Sequence, residues 1–266
     1  MTDDAFLVDI SEGILTLSFN RPEQSNAIPS SAVPQLTDLF KSINGDANVR
    51  AILIRGEGKH FSAGGDVAGF AQTLTRSSDE RRAEFAARLD RTSAYVSAYL
   101  DIQVPIVAAC QGGVAGGGLM YALGADYVLA DDTAAFVFAH QRVGLTPDCG
   151  LSFLLPKVVG VRRALELVLT AGKVEAAEAR HIGMVSKIVP SEQLDNEARA
   201  VAVKFARGPA NVMRSAKRLL SKGPGLSMAE GLRAERDSIV ACVGEVAFEE
   251  GVRAFTEKRK PDFSQM

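Results

Sequence analysis

Short aliphatic runs alternate with stretches of helical periodicity from the start of this chain to about Val189. Buried strands are predicted at 51–54, 106–109, 126–129 and 136–138. Helices are predicted between these runs, the clearest from about Val33 to Ile43 and from about Ser78 to Leu100. Strands that alternate with helices in this way predict an α/β core.

The two ends of the chain depart from that alternation. Near the start, two alternating apolar runs on either side of Gly13 predict a pair of antiparallel strands. After Val189 no strand-like run follows, and the capping box at Ser227–Glu230 predicts a helix start. A last helix is predicted from about Glu245 to Lys258. We therefore expect a core over 1–195 and a C-terminal helical oligomerisation region over 196–266, packed on the core and on neighbouring subunits.

Charge and hydropathy exclude several classes of protein. The formal net charge of the 266 residues is -2, so no basic field favours nucleic acid or an anionic membrane. The first residues lack the basic and apolar regions of a secretory signal, and no run of about 18 apolar residues would span a membrane. A soluble cytoplasmic protein is the expectation.

Cysteine and histidine are too sparse for a disulfide framework or a zinc site. The three cysteines, Cys110, Cys149 and Cys242, lie far apart, and the chain has three histidines. No ligand spacing typical of zinc is present. The sequence therefore predicts neither a metal nor a separate cofactor.

Two glycine clusters, at 60–66 and 112–118, each follow a predicted strand. Glycine permits positive φ angles and close approach of backbones. The second cluster leads into a helix, whose first N–H groups and dipole attract negative charge. Two such donors that converge on one oxygen would form an oxyanion hole.

A plainer interpretation of these glycines is that they only allow tight turns or close packing. Neither cluster has the glycine spacing and downstream unit of a dinucleotide site. Neither continues into the Gly-Lys-Ser/Thr of a phosphate loop. The clusters therefore do not indicate a nucleotide site.

A set of short motifs lies along the chain at 20–22, 26–27, 61–66, 105–109, 116–118, 125–126, 144–150, 177–179, 250–255 and 258–259. Taken together and in this order, these motifs resemble the enoyl-CoA hydratase/isomerase family, the crotonase superfamily, nearly from end to end. The resemblance implies a spiral of ββα units with a C-terminal helical trimerisation region. It also implies a homotrimer, or a hexamer formed as a dimer of trimers, and an acyl-CoA thioester substrate that carries coenzyme A as part of itself.

The resemblance also assigns binding residues. It implies that Gly65 and Gly117 supply the two oxyanion donors, and that the backbone around Phe61 and Ala63 receives the adenine of coenzyme A. Asp66 is assigned to the same binding site, where it is expected to hydrogen bond to the turn that presents Gly65. Basic and aromatic residues near the phosphates would be Arg21 and, from a neighbouring subunit, Phe255 and Lys258. A solvated basic face is the alternative for these last residues.

Both glutamates that hydratases of this family use are replaced. The matching positions hold Met120 and His140. Addition of water requires a base to activate it and an acid to protonate carbon, each worth a factor of about 100 or more. Hydration by the usual mechanism is therefore not expected.

One carboxylate remains at a position that the family uses, Asp148 in Pro147-Asp148-Cys149-Gly150. This four-residue motif resembles the isomerase branch of the family, in particular the phenylacetate-pathway type. One base is enough for the double-bond shift that such an isomerase catalyses. An apolar pocket near Met120 and Phe138 is expected to raise the pKa of Asp148. The alternative for Asp148 is an N-cap of a helix that begins near Leu151.

Three functions stay open at this point. The leading one is an enoyl-CoA isomerase with Asp148 as base, and the second is a hydratase that uses His140. The third is a non-catalytic paralogue that binds acyl-CoA or, against its near-neutral charge, RNA. Cys149 is expected to pack, Tyr121 to line the pocket, and the region from about Phe70 to Leu100 to shape the acyl pocket, without revealing the acyl group.

Overall fold

A six-stranded sheet forms the centre of the fold, with strand order β1-β2-β3-β4-β6-β9. Its first pair is antiparallel and the remaining neighbours are parallel. A second sheet has the order β5-β7-β8. The structure, a computed structural model, describes residues 5–65, 68–263 and 266. The strands of these residues are β1 Phe6–Ser11, β2 Ile14–Phe19, β3 Ala51–Gly56, β4 Ile106–Cys110, β5 Gly113–Ala115, β6 Tyr127–Asp131, β7 Ala135–Val137, β8 Lys173–Glu175 and β9 Lys187–Val189.

Helices connect the strands and then continue alone after β9. They are α1 Val33–Ile43, α2 Ser78–Leu100, α3 Gly117–Gly124, α4 Leu151–Val159, α5 Val161–Leu169, α6 Ala176–His181, α7 Leu194–Ala206, α8 Ala210–Lys222, α9 Met228–Val243 and α10 Val246–Thr256. Short 3-10 turns include Ala68–Thr75 and His140–Val143. Among the described residues, no helix combines the length and the apolar content needed to cross a lipid bilayer. The predicted α/β class is confirmed.

The elements predicted from periodicity match closely, while three short strands were missed. The antiparallel pair at the start, the helix from Ser78 to Leu100 and the capping box of α9 are confirmed. Strands β5, β8 and β9 were not predicted, since each has three residues and too few positions to show alternation.

The two faces of the large sheet bury different partners. One face, which includes Leu17 and Ile54, packs in the main core with α1, α2 and α3. The other face, which includes Leu53 and Val107, packs on the alanine stripe of α7. This stripe consists of Ala198, Ala202 and Ala206. The small side chains bring α7 close to the sheet, and the predicted boundary between 195 and 196 falls inside this helix. The division of the chain into two regions stays a prediction.

The helices after α7 leave much apolar surface uncovered in the single chain. In α8, Lys217 Nζ bonds to Asp126 Oδ2 over 2.7 Å and ties the helix to the core. Large apolar side chains at least half exposed on α8 to α10 are Leu220, Met228, Leu232, Ile239, Val240, Val243, Val246 and Phe255. Contiguous exposed apolar surface is typical of an interaction site. The trimer or hexamer stays a prediction that this surface supports.

Candidate active site

A cavity of about 340 Å³ lies where the two glycine segments meet α2 and the turn before α4. Its volume is within the range of small-molecule sites, roughly 300–1000 Å³. The glycine segments contribute Ala63, Gly64, Gly65, Ala115, Gly116 and Gly117. The predicted donors Gly65 and Gly117 therefore lie on one cavity wall.

The two glycine segments are in direct backbone contact. Gly64 has a φ of +84°, and a Cβ placed there would lie 2.3 Å from Gly117 N and 2.7 Å from Ala115 O. Gly116 has a φ of +49°, and its Cβ would lie 3.2 Å from Ala63 O. Only glycine fits the contact at Gly64, because a side chain there would both strain the backbone and push the segments apart.

A network of hydrogen bonds holds the first segment in place. The Ser62 N–H donates to Gly113 O over 3.2 Å, and Ser62 O accepts from the Ala115 N–H over 2.9 Å. The buried Asn26 amide donates to His60 O over 2.6 Å. His60 Nδ1 in turn accepts from the Gly113 N–H over 2.9 Å. The position of the first segment thus depends on the second.

Within the described ranges, the N–H groups of Gly65 and Gly117 donate no hydrogen bond to another residue. Gly117 is the first residue of α3, where an N–H has no partner within the helix. Two unbonded donors on one cavity wall can bind an oxygen that carries or develops negative charge.

Asp148 stands on a tight turn that leads into α4. Cys149 has a φ of 50° and Gly150 a φ of 74°, which places two successive residues in the left-handed region. The N-cap of α4 is Gly150, and no side chain caps this helix. The Asp148 backbone oxygen accepts from the Leu151 N–H over 2.9 Å. The helix-cap alternative for the Asp148 side chain is therefore wrong, and its carboxylate lines the cavity.

His140 lies beside Asp148 in the cavity lining. The distance from His140 Nε2 to Asp148 Oδ1 is 3.4 Å, and the His140 side chain is 12% exposed. His140 opens a 3-10 turn, and its backbone oxygen accepts from the Leu145 N–H. The two predicted proton-transfer residues are therefore neighbours.

The predicted direction of the Asp148 pKa shift is wrong. Burial works to raise the pKa, but the hydrogen bond and charge of His140, the Cys149 thiol and the charge of Arg88 outweigh it, so the pKa lies below its ordinary value. Met120 and Phe138, the expected apolar neighbours, are each 1% exposed in the core. Neither lines the cavity. The nearby polar and charged groups together outweigh the effect of burial on the pKa of this carboxylate.

Cys149 packs as predicted and also reaches the cavity. It contacts the main core, and a Cβ on Gly117 would lie 3.8 Å from its Sγ. Burial, with the nearby Asp148 charge, raises the pKa of the thiol to about 12. A thiol with this pKa stays protonated near neutral pH and is a poor nucleophile. Its proximity to Gly117 places the Asp148 turn beside the second glycine segment.

Helix α2 and the segment before it also line the cavity, which confirms that the region from about Phe70 to Leu100 shapes the pocket. The lining residues here are Phe70, Phe85, Arg88, Leu89, Arg91, Thr92 and Tyr95. Arg88 was not singled out from sequence. Its signal is helical spacing, because Phe85, Arg88, Thr92 and Tyr95 lie three or four residues apart on one face.

Tyr121 does not line the cavity, contrary to the prediction. It is 0% exposed and packs against the rings of Phe19 and Tyr99. Its hydroxyl is hydrogen bonded to the hydroxyl of Tyr95, which does line the cavity. Tyr121 therefore supports a lining residue from behind.

The residues predicted to hold coenzyme A have different positions. Ala63 lines the cavity, whereas Phe61 is fully buried and its N–H donates to Gln111 O over 2.8 Å. Arg21 Nη1 donates to Ala27 O over 3.2 Å, away from the cavity. Phe255, which is 85% exposed, and Lys258 were assigned to a neighbouring subunit's site. Asp66 lies outside the described residues, and all of these binding roles stay predictions.

Known proteins are similar to this chain in both sequence and fold. The sequence model of the enoyl-CoA hydratase/isomerase family matches residues 9–266. A probable enoyl-CoA hydratase of Mycobacterium bovis is 32% identical over 264 residues, which are 99% of each chain. The 1,2-epoxyphenylacetyl-CoA isomerase of Escherichia coli is 31% identical over an alignment of 265 residues, and the alignment covers 97% of each chain.

A solved structure extends the likeness to three dimensions. The enoyl-CoA hydratase of Bacillus anthracis superposes with a TM-score of 0.89 at 27% sequence identity, covering 99% of this chain and 100% of the other. The predicted crotonase fold is thereby confirmed. The chain belongs to the enoyl-CoA hydratase/isomerase family.

Proposed function

We propose that this enzyme shifts a carbon–carbon double bond in an enoyl-CoA thioester, with Asp148 as the base and the Gly65 and Gly117 N–H groups as the oxyanion hole. One observation carries the proposal. Asp148 is the only carboxylate among the described lining residues, and it shares the cavity with two free N–H groups. Double-bond migration needs this set of groups and no more.

The chemistry follows from that set. Asp148 removes a proton from the α or γ carbon, and the electron pair of the broken C–H bond delocalises onto the thioester oxygen. The two N–H donors stabilise this dienolate, each by roughly 3–4 kcal/mol. Asp148 then returns the proton to the other carbon, so no water or second acid is consumed.

His140 supports the base in this scheme. The Nε2 of His140 lies 3.4 Å from Asp148 Oδ1. The polar contact with His140 and the charge of His140 help to hold the pKa of the carboxylate below its ordinary value. Asp148 is therefore ionised at neutral pH and can accept a proton, and the lowered pKa makes it a weaker base than an ordinary aspartate. His140 is therefore a positioning residue in the isomerase proposal.

Hydration is the second candidate, and the same pair of residues favours it. His140 and Asp148 could act as an acid and a base on water, since both line the cavity. A relative named a probable hydratase matches 99% of the chain. Against it, the other hydratase position holds Met120, whose side chain is buried in the core.

Product analysis in deuterated water separates these functions. The Asp148 side chain is 44% exposed, so the proton that it carries can exchange with deuterated water before its return to carbon. We therefore expect incubation with hex-3-enoyl-CoA to give the conjugated 2-enoyl thioester, with deuterium at the α and γ carbons and little 3-hydroxyacyl-CoA. A 3-hydroxyacyl product that forms at a rate comparable to exchange would favour hydration. Binding of the thioester with neither exchange nor hydration would favour the non-catalytic paralogue.

Loss of His140 is expected to change the pH dependence in a defined direction. Asp148 must be ionised to act, so kcat/KM falls as the pH drops through its pKa, which in the wild type lies below the ordinary aspartate value. His140→Ala removes groups that lower this pKa and leaves the burial that raises it. The acid limb of kcat/KM for isomerisation should therefore move to higher pH, with folding checked by circular dichroism at each pH.

An acid limb that stays in place, or moves to lower pH, would contradict this assignment of His140. A variant that loses all activity at every pH would instead make His140 a proton-transfer residue, as the hydratase candidate requires.

A further inference from the structure

Arg88 presents a positive charge to the cavity without an ion pair to any carboxylate of the described residues, although its charge acts on Asp148 from a distance. Its side chain is half-buried and lines the cavity. Among the described residues, no carboxylate lies within ion-pair distance of its guanidinium, and no side-chain hydrogen bond is made to it. The same is true of Arg91, which lines the cavity one helical turn further along α2.

Aromatic rings hold the Arg88 guanidinium in position. Its Cζ lies 4.5 Å from the centroid of the Phe70 ring and 6.0 Å from that of Phe85. The two rings pack edge to face with centroids 5.0 Å apart. A cation over an aromatic face is attracted to it and keeps its N–H edge free for other partners. The group is therefore arranged for a ligand before the ligand arrives.

The guanidinium lies at the reacting end of the cavity. A Cβ on Gly65 would lie 3.3 Å from Arg88 Nη2, so the charge is beside one of the two proposed oxyanion donors. Its charge also acts on Asp148. Arg21, the predicted phosphate contact on the chain itself, does not line this cavity. Arg88 is thus placed to meet the acyl group rather than the phosphates of coenzyme A.

A purely hydrocarbon acyl chain fits this arrangement poorly. Apolar residues of the surrounding wall include Phe85, Leu89, Val143 and Leu145. A hydrocarbon that filled the space between them would remove water from the Arg88 cation without providing a hydrogen-bond acceptor in its place. Desolvation of an unpaired charge is costly, whereas a carboxylate can accept two N–H bonds from one guanidinium.

We infer that Arg88 selects thioesters whose acyl group carries a carboxylate of its own, so that the substrate is the coenzyme A monothioester of a dicarboxylic acid. The inference rests on the proposed function, because it takes the thioester oxygen to lie at Gly65 and Gly117. Arg91 adds a second positive charge on the same wall.

The test compares two saturated ligands that differ only in the terminal group. Glutaryl-CoA ends in a carboxylate, and 5-methylhexanoyl-CoA replaces it with an uncharged isopropyl group of similar size. We expect calorimetry to show that the wild type binds glutaryl-CoA tighter by about tenfold or more. Arg88→Gln should bring the two Kd values within about twofold without weakening the neutral ligand.

Two further variants complete the design. Arg88→Lys should keep part of the preference, because it retains the charge but loses the planar fork. Arg82→Gln is the matched control, since Arg82 lies on the same helix with its side chain 78% exposed and paired to Asp79, and it should keep the full preference.

Equal wild-type affinities would overturn the inference. So would an Arg88→Gln variant that weakens both ligands equally, since this would place Arg88 on the coenzyme A portion that they share. Neither ligand has a double bond, so the Kd ratio does not depend on proton transfer by Asp148. The inference and the isomerase proposal can therefore fail separately.

Discussion

Asp148→Asn is expected to slow exchange of the α and γ protons of an enoyl-CoA with deuterated water by about 100-fold to 10,000-fold, the usual contribution of a positioned base. The amide has nearly the shape of the carboxylate and can keep its place beside His140, whose Nε2 lies 3.4 Å from Asp148 Oδ1. It cannot take up a proton from carbon. Acyl-CoA binding should persist, because the glycine segments that would hold the thioester are untouched.

Asp90→Asn is the matched control for this change. Asp90 is an exposed residue on α2 that does not line the cavity, so the same chemical substitution there should leave exchange unaltered. Exchange should be followed by mass spectrometry of the thioester, and binding by calorimetry. Asp148→Asn with wild-type exchange would remove this residue from the mechanism.

Gly64→Ala is expected to lower kcat by about 100-fold to 1,000-fold, the range seen when one oxyanion donor is lost. The new Cβ would lie 2.3 Å from Gly117 N and 2.8 Å from Gly116 Cα, closer than backbone atoms tolerate. One segment must move, and Gly65 or Gly117 must move with it. The loss of turnover should therefore be larger than the loss of fold stability alone would cause.

Gly160→Ala separates this effect from simple backbone strain. Gly160 has a φ of +78°, close to the +84° of Gly64, but a Cβ there would meet nothing within 4 Å. Both variants should lose roughly 1–3 kcal/mol of stability because an L side chain rarely adopts a positive φ. Gly64→Ala should lose more because of its backbone clash, and both losses are measured as a lower Tm. Only Gly64→Ala should lose turnover, and a similar small loss in both variants would contradict the role given to the glycine contact.

Long periodic elements were predictable from sequence because their own residues carry the signal. Helix α2 shows this best, since it begins and ends at the predicted residues, Ser78 and Leu100. Strands β8 and β9 show the limit. Each has three residues and exists because it pairs with a distant strand, β8 with β7 and β9 with β6. Such pairing is a tertiary property that local alternation cannot reveal.

The sequence allowed the residues of the candidate site to be identified, but not the electrostatic environment of those residues. Gly65, Gly117, His140 and Asp148 all line one cavity, as the pattern of glycines and the family resemblance indicated. The pKa of Asp148 depends on His140 and on Arg88 of α2, and these interactions exist only in the folded chain. For this reason the predicted direction of the shift was wrong.

Helix α3 explains the error at Tyr121. Every residue from Gly117 to Leu123 is buried, so the helix has no exposed face from which its orientation could be read. Neither Met120 nor Tyr121 reaches the cavity, although both follow the second glycine segment closely. Nearness in sequence to a site residue did not predict nearness to the ligand.

A crystal structure of the enzyme with a bound acyl-CoA tests the central claim most directly. We expect the thioester oxygen within hydrogen-bond distance, about 2.7–3.2 Å, of both Gly65 N and Gly117 N. The Asp148 carboxylate should lie beside the α and γ carbons of the same ligand. A thioester oxygen bound away from both amides, with Asp148 facing another part of the ligand, would contradict the account.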